Sequence, residues 1–329
     1  MARIALVHDV AGIAAIQARL LRSAGHHVDQ IALPAMGASW GWPLKAIALP
    51  LRLAACAPAV AKLRGSRYDV IHIHFLSQGI VGVLAGRPFF AQAHGSDLHL
   101  NLERPGYRSV TRSVLRHATR IFYVTPNLPD YMPGFEKKLV YLPNPVDVSA
   151  LGDGSRPPTQ VRRVLIFTRL DPVKGVDRIF PAVERLSRVA EVTALDWGPL
   201  AAEYRSRYGR WVTFVKPVRH AEVGALLRQF DVVIGQMRQG VLGLMDVEAL
   251  AAGRPLIAVV DPALYEGDPP PVVAAADSGE IVDQVDRLRS APDELVDLSK
   301  HGREWAERNH GLARHLELLQ SAYFGTAAS

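Results

Sequence analysis

The sequence predicts an α/β protein made of two successive doubly wound, nucleotide-type domains with a ligand cleft between them. Three observations carry this expectation. Short β-type runs alternate with helical patterns along the chain, the mark of βαβ units and parallel sheets. A polar, Gly/Pro-rich stretch at 153–159 lacks periodicity, and the alternation restarts beyond it. The length of 329 residues suits two domains, and either half could bury a full core.

The elements follow in order. The apolar run at 3–8 reads as a first strand and is too short for a signal peptide. Residues 12–24 form a helix with Ile13, Ile16, Leu20 and Leu21 at helical spacing. Strands are expected at 27–32, 70–74, 89–93, 121–124 and 139–142, with a further helix at 109–117. After the polar stretch come a strand at 164–168, a helix at 176–189 and strands at 191–196 and 212–215. A helix at 221–230, a strand at 232–235, a helix at 246–252 and a strand at 255–260 complete the alternation. The chain ends in amphipathic helical stretches at 279–290 and 292–319. The expected domains are 1–152 and 153–309, with a final helix, 310–329, that packs back on the first.

Composition narrows the function classes. Hydrophobic residues make up 49% and charged residues 21%, ordinary for a soluble enzyme. Cys56 is the only cysteine, which excludes a disulfide framework and a cysteine metal cluster and fits a reducing cytoplasm. No apolar run reaches transmembrane length. The net charge of +6 favours anionic ligands or anionic membrane surfaces. It is spread over the chain without a basic tail, which disfavours nucleic acid as a partner.

Two constellations carry chemistry. The strand at 164–168 runs into a tight basic turn in which Arg169 and Lys174 stand five residues apart. Open α/β sheets place ligands at this end of a strand, and two cations beside backbone N–H groups suit a diphosphate. The bland alternative is a solvated turn with two surface cations. In the second, a loop with Gly240 and Gly243 leads into a short helix whose N-terminal N–H groups attract phosphate oxygens. Glu248 lies in that helix among Leu244, Val247, Leu250 and Ala251, so its carboxylate needs a hydrogen-bond partner. A ribose diol would serve; the alternative is a Glu on a solvent face. Gly253 caps the helix and Pro255 starts the next strand.

Three further segments stay open on spacing alone. His94 follows a strand and precedes Gly95, which can place its imidazole in the cleft or bury it as a hydrogen-bonded core histidine. Asp97 reads as an N-cap of the next segment. His72 and His74 alternate along a strand and share a face, but with no third ligand in sight no metal is expected. The segment 39–45, with Trp40 and Trp42, leads into a helical stretch to Arg67 with Lys45, Arg52, Lys62 and Arg64. It reads as a surface resting on an anionic bilayer, as an acceptor pocket, or as an ordinary helix with a buried Trp.

The pieces Asp69-Val-Ile-His-Ile-His74, His94-Gly-Ser-Asp97, Pro143-Asn-Pro-Val-Asp147, Arg169-Leu-x-x-x-Lys-Gly175, Gly198-Pro199 and Glu248-Ala-Leu-Ala-Ala-Gly-Arg-Pro255 fall in a familiar order. With them the chain resembles, over nearly its whole length, the retaining glycosyltransferases of the GT-B fold, family GT4. The resemblance implies transfer of a sugar from a nucleotide-diphosphate sugar to a small-molecule or lipid-linked acceptor, with no cofactor and no metal. It implies that Arg169 and Lys174 grip the donor diphosphate and stabilise the leaving nucleotide. It implies that Glu248, the second glutamate of an E-x7-E motif, holds the ribose. It places the N–H groups of Leu242, Gly243 and Leu244 beside the donor phosphate and sugar. Around the base it places Gly198-Pro199 and Lys216-Pro217-Val218. It brings Gly12 to the donor phosphate and His94, as a catalytic residue, to the donor sugar.

The chain departs from the family at two places. Gly240 stands where the first glutamate of the motif belongs, which leaves the sugar contact to Gln239 or Asp246, to an unusual donor, or to impaired transfer. Gly12 stands alone where the family has a glycine pair. Two other activities remain: a sugar-nucleotide epimerase of the same fold, and a non-catalytic subunit that binds nucleotide sugar. A dehydrogenase is disfavoured because no Gly-x-Gly-x-x-Gly opens the first domain.

Overall fold

The computed structural model describes residues 1–34, 41–99, 101–152, 154 and 156–325. Ser39 and Trp40 of the tryptophan segment, and Asp153 and Ser155 of the polar stretch, lie outside the described residues. The chain forms two compact units. One comprises Met1–Pro145 and the chain from His315 onward, the other Val146–Arg314.

In the first unit β1 (Arg3–Val7), β2 (His27–Ile31), β3 (Val70–His74), β4 (Phe90–Ala93), β5 (Arg120–Tyr123) and β6 (Leu139–Tyr141) form one sheet in the order β2-β1-β3-β4-β5-β6. Every pairing is parallel. Helices Ile13–Ser23 and Pro105–His117 bury one stripe each, as the 3.6-residue spacing of their apolar positions requires. The final helix, Leu312–Phe324, supplies Leu319, Leu316 and Tyr323 to clusters with Ile4, Leu6, Phe90 and Phe122 of this sheet and with Leu142 just past β6.

In the second unit β7 (Arg163–Ile166), β8 (Glu191–Leu195), β9 (Thr213–Val215), β10 (Val232–Ile234), β11 (Leu256–Ala258) and β12 (Val273–Ala274) form a second all-parallel sheet. Its order is β12-β11-β10-β7-β8-β9. The chain steps from β7 to one side through β8 and β9, then returns to the other side of β7 for β10. This topology leaves a crevice at the carboxyl ends of β7 and β10.

Local chemistry explains where elements differ from the sequence pattern. The helix expected at 176–189 is broken into Val176–Ile179, a 3-10 turn Phe180–Ala182 and Val183–Leu186. Pro181 has no N–H to donate and clashes with a continuing helix. The stretch at 292–319 divides into Pro292–His310 and Leu312–Phe324 around Gly311. The helical stretch to Arg67 is three helices, Trp42–Ile47, Leu49–Ala55 and Ala57–Gly65. The second unit begins at Val146, before the polar stretch. Val146, Val148 and Leu151 are buried with Leu226, Leu227, Ala251 and Trp305 of its core, so chain up to Leu151 is tied to that unit.

Candidate functional site

The crevice between β7 and β10 is walled by the loops that leave those two strands. Phe167 N donates to Ile234 O at 2.9 Å, and Met237 N donates to Lys174 O at 2.8 Å. These bonds clasp the loop 167–175 to the loop 235–243. Asp171 Oδ1 accepts from Val173 N at 3.1 Å and starts the 3-10 turn Pro172–Lys174. Gly175 ends it at φ +71°, where a Cβ would stand 2.9 Å from the Met237 carbonyl carbon. Only glycine meets both demands, so the Lys174–Gly175 turn fixes the distance between the loops.

Lys174 Nζ donates to Gln239 Oε1 at 3.1 Å and lies 3.7 Å from the point a Cβ on Gly243 would occupy. The ammonium therefore stands at the start of the helix Leu244–Ala251. The exposed Arg169 has Nε 3.7 Å from Asp171 Oδ2 and its guanidinium 5.8 Å over the Trp197 ring. An exposed pair of this kind leaves the guanidinium available to an anion.

The loop entering that helix departs from expectation in three respects. Leu242 N donates to Tyr265 Oη at 2.8 Å, and Gly243 N donates to Asp246 Oδ2 at 2.8 Å. Both N–H groups are thus committed within the chain rather than open to a phosphate. Leu244 N and Met245 N make no hydrogen bond within the described residues, as the first N–H groups of a helix have no intrahelical partner. Asp246 is also excluded as a sugar contact. It is buried, its other oxygen accepts from Gln236 N at 3.2 Å, and it serves as the cap of the helix. Burial raises its pKa, while the Lys174 charge pulls it down. Tyr265 is pushed up to about 12 by burial and stays a hydroxyl.

Glu248 is 4% exposed, and its Oε1 is bonded to His220 Nε2 at 2.9 Å. Its immediate partner is a side chain of the same unit that sequence spacing did not single out. The bond raises the His220 pKa above its ordinary value of 6.5, against desolvation, with further help from the charges of Glu248 and Asp147. Because the folded pKa is raised, the pair's contribution to stability is fully present below pH 6.5 and is lost as pH rises through the folded pKa. An NMR titration should find His220 titrating above its unfolded value, and Glu248→Gln should bring it down. An unchanged titration in that variant would refute the pairing.

Gly198 sits at φ +125° with its Cα packed on the backbone of Leu170; a Cβ would stand 2.4 Å from Leu170 O. Leu170 N donates to Trp197 O at 2.7 Å and Leu200 N donates to Leu170 O at 3.0 Å. The loop 196–200 is thereby bonded to the residue beside Arg169. Lys216, Pro217 and Val218 are exposed just past β9. Gly240 has φ +68°, a conformation that disfavours glutamate, and its carbonyl accepts from Asp261 N at 2.8 Å. Gln239 is held against Lys174.

Gly12 and His94 belong to the first unit. Gly12 is at φ +78° between β1 and the helix Ile13–Ser23, and Ala11 shares the left-handed region at φ +52°. His94 follows β4 and joins a polar cluster inside this unit. His94 Nε2 lies 3.3 Å from His74 Nδ1, His74 stacks on His72 at 4.5 Å, and His72 Nδ1 meets Tyr323 Oη at 2.6 Å. His72 and His74 are fully buried. Asp97 is not a cap preceding its helix: it lies inside Ser96–His99, where its carboxylate accepts from His94 N at 3.0 Å and Leu76 N at 2.8 Å. No group of three or more His, Cys, Asp and Glu is arranged to hold a metal among the described residues.

Two sequence profiles fit these units. The glycosyl transferase 4-like domain matches residues 12–145, and glycosyl transferases group 1 matches 161–290. The chain belongs to the GT4-like, group 1 glycosyltransferases. It is 25% identical over 283 residues to D-inositol 3-phosphate glycosyltransferases of Mycobacterium tuberculosis and Mycobacterium bovis. The match takes in 73% of this chain and 58% of those proteins, so the chain spans little over half of the length of the curated relatives it matches. Among solved structures it is similar to the sucrose-phosphate synthase of Thermosynechococcus elongatus, with a TM-score of 0.75 at 18% identity over 100% of both chains. It is also similar to Anabaena HepE in complex with UDP and glucose, with a TM-score of 0.73 at 15% identity over 98% of this chain and 99% of that one. At these identities the likeness establishes the fold, which is GT-B.

In this family member the histidines give the first unit an acid sensitivity. Burial lowers His72 to about 3, aided by the charges of His94 and His315, and holds His74 well below its ordinary value. Desolvation, then His8, lowers His94 to about 3. These groups are neutral when folded and protonate when unfolded, so stability falls as pH drops below 6.5. Asp97, raised to about 6 by burial, works in the opposite sense between pH 3.8 and 6. The three histidines outweigh it, and calorimetry should show the melting temperature falling from pH 7 to pH 5. A flat profile would contradict this reading.

Proposed function

We propose that this GT-B protein transfers a sugar from a nucleotide-diphosphate sugar to a small-molecule or lipid-linked acceptor, with retention of configuration and without a divalent metal. The observation that carries the reading is the Lys174 ammonium, which stands in the β7/β10 crevice at the start of a helix with two unbonded N–H groups. As the bond from the sugar to the β-phosphate oxygen breaks, negative charge grows on the leaving diphosphate. Lys174 and Arg169 supply fixed positive charge to it, and the N–H groups of Leu244 and Met245 supply dipoles. Two such cations do the electrostatic task of a metal ion.

Glu248 accepts from the ribose diol, with His220 orienting its carboxylate. Trp197, Gly198 and Pro199 border the base on one side, and Lys216, Pro217 and Val218 on the other. Structures of Anabaena HepE with UDP and with UDP-glucose support a uridine-type donor and a hexosyl group. The mycobacterial relatives, named for an inositol phosphate acceptor, support a small polar acceptor. Leu44, Ile47 and Leu51 are 52%, 79% and 60% exposed on the helices Trp42–Ile47 and Leu49–Ala55, which supports a peripheral membrane contact and a lipid-linked acceptor.

Gly240 favours a second reading, a subunit that binds nucleotide sugar without transferring it. Incubation with UDP-sugars, with and without acceptors and with EDTA present, tests both. Transfer with the donor's anomeric configuration kept supports the first reading. Donor conversion without acceptor identifies an epimerase, and binding without turnover supports the second reading.

A further inference from the structure

Gly240 brings no carboxylate to the proposed donor site, but the loop after the neighbouring strand β11 does. The loops that leave the carboxyl edge of the second sheet follow its strand order. Past β9 and β8 come the loops 216–218 and 196–200, past β7 and β10 come Lys174 and Gln239, and past β11 comes Asp261. A sugar nucleotide has a linear connectivity of base, ribose, diphosphate and sugar. With the base against the first two loops and the diphosphate against the next two, the sugar falls toward β11. Asp261 is the first ionisable residue beyond that strand.

Asp261 is fastened beside Gly240. Asp261 N donates to Gly240 O at 2.8 Å, and a Cβ on Gly240 would stand 3.8 Å from Asp261 Cβ. Behind them the buried Gln236 stitches the two loops together. Its Nε2 donates to Val241 O at 2.5 Å and to Val259 O at 3.1 Å, and its carbonyl accepts from Val259 N at 3.2 Å.

The Asp261 side chain is oriented but not used up. Its Oδ1 accepts from Ala263 N at 3.0 Å and starts the 3-10 turn Pro262–Tyr265. Tyr265, at the end of that turn, accepts from Leu242 N, so the turn is tied to the loop 240–243 at both ends. Asp261 Oδ2 has no hydrogen-bond or ion-pair partner among the described residues, and the residue is exposed, so a ligand hydroxyl can reach it.

A carboxylate is an acceptor-only group, and its bonds from hydroxyls are stronger than those of a neutral acceptor. A glutamate at position 240 is disfavoured by φ +68° and would set a second negative charge beside Asp261. The chain carries one carboxylate at this point, on β11's loop instead of β10's.

We infer that Asp261 is a specificity-determining residue for the donor sugar, its Oδ2 accepting from a sugar hydroxyl. The inference rests on the donor reading of the β7/β10 crevice.

Calorimetric titration of the parent, Asp261→Asn and Asp261→Ala tests it, with UDP, UDP-glucose, UDP-galactose and UDP-N-acetylglucosamine as ligands. Asp261→Asn keeps a side-chain oxygen for Ala263 N, so the turn and the melting temperature should survive even if Asp261→Ala loosens them. The UDP-sugar that the parent binds most tightly should lose about tenfold or more in affinity in Asp261→Ala and about threefold or more in Asp261→Asn. Affinity for UDP itself should stay within about twofold of the parent, because UDP has no sugar at that end. The inference is overturned if both variants bind the preferred UDP-sugar as tightly as the parent does. It is equally overturned if UDP and the UDP-sugar lose affinity in parallel, the mark of a purely structural role. A parent that binds none of the four ligands overturns the donor reading and this inference with it, an outcome distinct from the other two.

Discussion

Lys174→Ala lowers kcat/KM for donor consumption by about 10²–10³-fold, the effect of deleting one donor that stabilises developing negative charge. The fold survives. The Lys174 side chain donates to the half-buried Gln239, which water can satisfy, and the clasp between the loops is made by its backbone carbonyl to Met237 N. The substitution also removes the positive charge that draws down the Asp246 pKa, so this buried cap moves further toward its protonated form. Steady-state kinetics beside a melting curve make the check. Near-parental turnover would remove Lys174 from the site, and a collapse of the melting curve would assign it a structural role.

Gly198→Ala should destabilise the second unit by about 2–4 kcal/mol, from overpacking against backbone together with an unfavourable dihedral. The new Cβ would meet Leu170 O at 2.4 Å and Leu170 N at 2.7 Å, atoms that cannot rotate away. Relief requires the loop 196–200 to lift from Leu170, breaking the bonds Leu170 N to Trp197 O and Leu200 N to Leu170 O. Arg169 and Trp197 would then lose their mutual position, so nucleotide affinity falls along with stability. Gly25→Ala is the control: it shares a positive φ of +86° but has nothing within 4 Å of its Cβ position. Calorimetry should show a much larger loss for Gly198→Ala than for Gly25→Ala. Equal losses would mean that the dihedral, and not the contact with Leu170, sets the cost.

Alternation of period-2 and period-3.6 segments made the two α/β units legible, because a parallel sheet needs a crossover between each pair of strands. Pro181 carried its helix break in plain sight, yet a periodic apolar pattern on both sides masks such a break. The two-residue β12 and the helix Ala201–Tyr208 have too little pattern to stand out. At the site, Arg169, Lys174 and Glu248 were legible because charge beside an apolar strand or inside an apolar helix is costly without a reason. Their partners were not. His220 is 28 residues from Glu248, and Tyr265 is 23 from Leu242; no local period links them. Asp246 was named from its place near Gly240 as a sugar contact, and the N–H groups it accepts from, Gly243 N and Gln236 N, come from turns that a local reading does not fold onto it. The contact of His94 was equally hidden, since His74 lies on β3, 20 residues away.

The central claim is that the β7/β10 crevice holds the diphosphate of a sugar nucleotide. A thermal-shift panel of UDP-, GDP-, dTDP- and ADP-sugars on the protein and on Lys174→Ala tests it most directly. A ligand bound to the folded state at 100 times its Kd adds about 2.7 kcal/mol of stability. At least one nucleotide sugar should therefore raise the melting temperature of the parent by several degrees and leave that of Lys174→Ala nearly unmoved. A panel in which no nucleotide sugar shifts the parent, or in which the shift persists undiminished without Lys174, would contradict the account.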